Sequence, residues 1–138
     1  MKPKISLRIA GILMLLHTLG HSIGALTWKQ APNTTIQRVV DGMNNNHFPF
    51  MGSSVSLGLF FDGYGFMMIG VLLLLTVQLW ILSAEPNRRH ILPVGLLLVF
   101  MGIIELIYFF PFAAAFSLLA GLLTTYAYVK SPLWKRSN

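Results

Sequence analysis

Residues 91–129 read ILPVGLLLVFMGIIELIYFFPFAAAFSLLAGLLTTYAYV, 39 positions with one charged side chain, Glu105, and an abrupt Phe110-Pro111-Phe112 near the middle. A helix needs about 20 residues to cross the hydrocarbon of a bilayer. At about 1.5 Å of rise per residue, one continuous helix of this length would overshoot it. Proline has no amide donor and disfavours helix at the residue before it. The stretch is therefore read as two spans, Ile91–Phe110 and Phe112–Val129, folded back on each other at a tight corner.

The same reading extends toward the N-terminus. A first apolar run starts at Ile5 and closes at Trp28, and another covers Val55–Leu82, long enough to tilt or to begin outside the hydrocarbon. The expected fold class is all-α: an integral membrane four-helix bundle with both the N and C termini cytoplasmic. It forms one transmembrane domain over residues 1–138, with helices at about 5–27, 55–82, 91–110 and 112–129. Trp28, Trp80 and Trp134 fall near the expected interfaces, as an aromatic belt requires. The basic start and short apolar run also resemble a signal peptide. His17 and His21 interrupt that apolar region, so the segment is read as a retained span.

Composition agrees. Hydrophobic residues make up 55% and charged residues 10% of the chain, where a soluble domain carries roughly a quarter charged. Mean hydropathy is +0.69. The net charge of +6 does not indicate a nucleic-acid partner, because of where the cations sit. Lys2, Lys4, Arg8, Arg88, Arg89, Lys130, Lys135 and Arg136 flank the spans on one side, and only Lys29 and Arg38 lie in the other long loop. This asymmetry is the positive-inside pattern, and it points to a multi-pass protein of the cell inner (plasma) membrane, with attraction to anionic lipid. The chain has no cysteine, which removes disulfides, thiolate metal sites and a thiol nucleophile.

The outer loop, residues 28–54, contains a short amphipathic pattern. Ile36, Val39, Val40 and Met43 share a helical face, Thr34 or Thr35 is placed to cap it, and Asn44-Asn45-Asn46 ends it. Such a helix suits the membrane surface. Phe48-Pro49-Phe50-Met51 then returns toward the interface.

Ionisable groups inside a span are costly and mark candidate functional sites. Here they are His17, His21, Asp62 and Glu105. His21 precedes Trp28 by 7 residues, Asp62 follows Val55 by 7, and Glu105 precedes Pro111 by 6. All three come out about 10 Å below the outer boundary, with His17 one turn deeper. Their helical stripes also carry small residues: Ala10 and Gly24 with Met14 and the histidines, Gly58 and Gly65 with Asp62, Gly95 and Gly102 with Glu105, and Ala114, Ser117 and Gly121 on the last span. Membrane helices pack on such residues, so the stripes face inward. Tyr64, Tyr108 and Ser117 are expected to line the resulting polar chamber.

Several chemistries fit these residues. His17 and His21 at i, i+4 with Asp62 and Glu105 make an N2O2 set for a divalent metal. The glutamate that follows the first histidine in zinc proteases is replaced by Thr18, so no protease is inferred. His21, Asp62 and Glu105 also suit metal-free acid–base catalysis on a lipophilic substrate. A proton path is poorly served, since the inner half offers only Thr76, Gln78, Thr124 and Thr125. A haem would need His47 or a second subunit, because His17 and His21 share one helix face. Finally, the polar groups can simply pair and fix helix register, as in a non-catalytic membrane subunit. The apolar outer faces suit membrane lipid, a second copy of the chain or a membrane protein partner.

His17, His21 and Gly24 in the first span, with Glu105 in the third, resemble the His-x-x-x-His-x-x-Gly and acidic positions of small uncharacterised four-helix bacterial integral membrane proteins. The general plan is similar to the DoxX-like and emopamil-binding-like four-helix proteins. The latter resemblance implies a sterol- or lipid-like ligand in a polar-floored cavity.

Overall fold

The computed structural model describes residues 1–131; Trp134, Lys135 and Arg136 lie outside them. The element order is α1 (Pro3–Thr27), α2 (Thr34–Asn45), β1 (His47–Phe50), β2 (Ser53–Ser56), α3 (Leu57–Ala84), α4 (Arg88–Tyr108) and α5 (Pro111–Lys130). Four of these, α1, α3, α4 and α5, are long and apolar enough to cross a membrane. The chain divides into two compact units, one built from Met1–Thr18 and the residues from Leu72 onward, the other from Leu19–Val71.

In the first unit, parts of all four long helices share a core of Leu7, Ala10 and Met14 from α1, Leu72, Leu75, Leu79 and Leu82 from α3, Ile91 and Leu98 from α4, and Ala120 and Ala127 from α5. The buried hydroxyls of Thr18, Thr76 and Thr124 donate to the carbonyls of Met14, Leu72 and Ala120, one turn back. The Thr18 and Thr76 hydroxyls also lie 3.5 Å from each other, linking α1 to α3. The outward faces remain apolar: Leu96, Phe100, Ile103, Leu106 and Ile107 on α4 are all exposed. Contiguous apolar exposure on this scale calls for lipid or a partner rather than water.

α4 and α5 form a close helical hairpin. α4 begins three residues earlier than the apolar run suggests, because Asn87 caps it by accepting from the Arg89 N–H at 3.0 Å. It ends at Tyr108, and Pro111 opens α5 at a position where no amide donor is needed. A Cβ added at Gly121 would lie 2.8 Å from Val99 N, and one at Gly102 would lie 2.9 Å from Leu118 N. The two backbones therefore touch, which only glycine permits at these positions.

The second unit holds the last turns of α1, the segment that connects it to α3, and the first half of α3. α2 forms where the amphipathic pattern places it. Its cap is Asn33 and not Thr34 or Thr35: the Asn33 backbone is extended, and Oδ1 accepts from Ile36 N at 2.9 Å. Val40 is buried, whereas Ile36 and Val39 stay exposed. A β-hairpin follows, with His47 opposite Ser56 and Phe50 opposite Ser53. Met51 and Gly52 form its two-residue turn at φ 49° and 83°. Val55 therefore lies in a strand, and α3 starts at Leu57, where the Ser56 hydroxyl accepts from Leu59 N at 3.3 Å.

Candidate functional site

Three polar side chains from three helices meet inside the first unit. His17 comes from α1, Glu105 from α4 and Ser117 from α5. His17 Nδ1 lies 3.1 Å from Ser117 Oγ, and its Nε2 lies 3.6 Å from Glu105 Oε1. The side chains of His17 and Glu105 are 7% and 13% exposed, and Ser117 is fully buried. Phe116 stacks on the imidazole at 6.0 Å between centroids. Helical periodicity explains the meeting. Ser117 sits one turn before Gly121, and Glu105 follows Gly102 by three residues, so both lie beside the positions where α4 and α5 touch.

The arrangement holds protons in two related ways. With Glu105 ionised, Nε2–H faces the carboxylate and Nδ1 accepts from the Ser117 hydroxyl. With the proton on Glu105, its O–H faces Nε2, and Nδ1–H donates to Ser117 Oγ. Glu105 Oε2 is buried and has no hydrogen-bond partner among the described residues. Buried polar atoms are nearly always paired, with protein or with ordered water, so this oxygen can accept one further donor.

His21 and Asp62 belong to the second unit and have partners of their own there. His21 Nε2 lies 3.2 Å from the Gly65 carbonyl oxygen, to which it donates. Gly65 makes the approach possible, since an added Cβ would press on Ala25 at 3.3 Å. Both Asp62 oxygens are taken. Trp28 Nε1–H donates to Oδ1 at 2.7 Å, and the Lys29 ammonium donates to Oδ2 at 2.6 Å. The Trp28 ring packs on Phe61 at 4.6 Å, and Lys29 also sits 5.5 Å from the Trp28 ring centre. This latch ties the end of α1 to the start of α3. It was hidden in the sequence because Lys29 reads as an ordinary loop cation. The available signal was a cation just after a span, set against an acid at matching depth in the next.

Tyr64 is exposed and lines a shallow hollow with Leu59, Phe60, Gly63 and Met67, and Tyr108 is exposed at the end of α4. A second hollow lies along the hairpin, with His47, Phe48 and Gly52 in its wall. Neither hollow includes His17 or Glu105. Among the described residues, no group of three or more His, Asp or Glu side chains is placed to hold a metal ion. His17 and Glu105 supply two donors where a zinc site uses three or four protein ligands.

No protein-family model matches the chain, and no curated protein or solved structure proves similar to it.

Proposed function

We propose that the chain is a multi-pass protein of the inner (plasma) membrane, with both termini cytoplasmic, that binds a small lipophilic molecule through its polar group at His17, Glu105 and Ser117. Length and apolarity of the four helices support the membrane assignment. The Met1 ammonium donates to Tyr126 Oη near the end of α5, which supports an even number of crossings. The observation that carries the ligand reading is the buried Oε2 of Glu105, beside a histidine and without a hydrogen-bond partner among the described residues. A hydroxyl or amine arriving from the hydrocarbon would donate to it, while the exposed apolar helix faces would hold the rest of the molecule. A sterol- or lipid-like compound has this chemistry.

The competing reading is helix packing alone, favoured because both ring nitrogens of His17 face groups of the protein itself. One comparison separates the two. Wild-type protein and Glu105→Gln are purified in mild detergent, and their extracted lipids are compared by mass spectrometry beside thermal unfolding. A compound near one per chain in the wild type, depleted in a variant of unchanged stability, supports binding. Identical extracts with a lowered unfolding temperature refute it and leave packing.

A further inference from the structure

The end of the first unit opposite Glu105 is built from three chain segments that carry cations and almost no acid. Contacts on α5 bring them together: Tyr126 Oη accepts from the Met1 ammonium at 3.3 Å, and the Tyr128 ring lies 4.3 Å from the Arg88 guanidinium carbon. The start of α1, with Lys2 and Lys4, the start of α4, with Arg88 and Arg89, and the end of α5, with Lys130, therefore share one end. The acid closest in sequence to these arginines is Glu85, and among the described residues it forms no ion pair with them. Arg88 is part-exposed, with its Nε buried and lacking a hydrogen-bond partner among the described residues, so the outer guanidinium N–H groups are the ones a ligand can reach. A guanidinium is planar and matches a phosphate through two parallel N–H bonds.

We propose that this end is a docking surface for the phosphate of an anionic phospholipid, held chiefly by Arg88 and Arg89, with Lys2, Lys4 and Lys130 adding unspecific attraction. The lipid is favoured over a soluble anion because the surface borders the apolar outer faces of the same helices, which accept acyl chains. Ile5 on α1, Leu96 on α4 and Val129 on α5 are all exposed near it. A lipid thus gains contacts at both its ends, and a free anion at one only. The site is independent of His17 and Glu105.

The test uses the full chain in a neutral detergent, with thermal unfolding read after addition of phosphatidylglycerol, phosphatidylcholine or inorganic phosphate. Phosphatidylglycerol is expected to raise the unfolding temperature by roughly 5 °C, and the other two by far less. The gain should shrink at about 1 M salt, where the screening length falls to about 3 Å. Arg89→Gln, an exposed position at the helix start, should lose most of the gain while folding normally. Arg88→Lys keeps the charge but not the planar fork, and should lose part of it. Equal shifts with both lipids, a full shift retained by Arg89→Gln, or a shift reproduced by phosphate alone would each overturn the proposal.

Discussion

Replacing Gly121 by alanine tests whether the α4–α5 contact positions the polar cluster. The added Cβ would sit 2.8 Å from both Val99 N and Val99 Cγ2 and 3.1 Å from Leu98 C. Two of those three atoms are backbone, so the helices must separate rather than a side chain swing away. Overpacking of this kind costs about 1–3 kcal/mol. Alanine also gains about 1 kcal/mol of helix propensity over glycine. Gly70 in α3 provides the reference, since an added Cβ there meets nothing within 4 Å and only the propensity gain remains. The propensity term cancels between the two variants, and Gly121→Ala should be less stable than Gly70→Ala by the contact term alone, about 1–3 kcal/mol. Thermal unfolding in detergent, followed by circular dichroism, reads this as roughly 3–10 °C. Equal unfolding temperatures would refute the close contact, and with it the account of how Ser117 and Glu105 are brought to His17.

Other outcomes follow from the second unit. Asp62→Ala removes the acceptor of both the Trp28 indole and the Lys29 ammonium. A hydrogen bond to a charged group contributes about 1.5–3 kcal/mol, so residues 29–56 should exchange their amide hydrogens faster, while unchanged exchange would mean the latch is ornamental. Met51 occupies positive φ, which strains a side chain that asparagine tolerates better. Met51→Asn should slow amide exchange in the hairpin by up to about 1 kcal/mol of added stability, and Met51→Val should speed it.

The long helices were legible because apolar length and the corner at Pro111 are local signals. Asn87 was not, because the apolar run begins after it and hides the polar turn that caps α4. The hairpin was harder still. Its turn is Met51-Gly52 without an asparagine or aspartate, Pro49 sits in a strand, and Val55 reads as the start of a membrane run. The polar cluster was half legible. Helical spacing puts His17, Glu105 and Ser117 on inward stripes, and depth alone groups them with His21 and Asp62. Depth cannot show that Trp28 and Lys29 satisfy Asp62, because that pairing depends on how the chain leaves α1.

The latch at Asp62 also bears on engineering. It joins the base of the excursion between α1 and α3, so residues 30–61 leave and return at nearly the same place. Lengthening a loop whose ends are already fixed costs only about 0.6 kcal/mol per doubling. The hairpin tip, where Met51 is 91% exposed, is then the natural point to splice in an epitope or a dye-binding tag. A tag placed there would report from intact cells which side of the membrane the segment occupies, without altering any residue of the polar cluster.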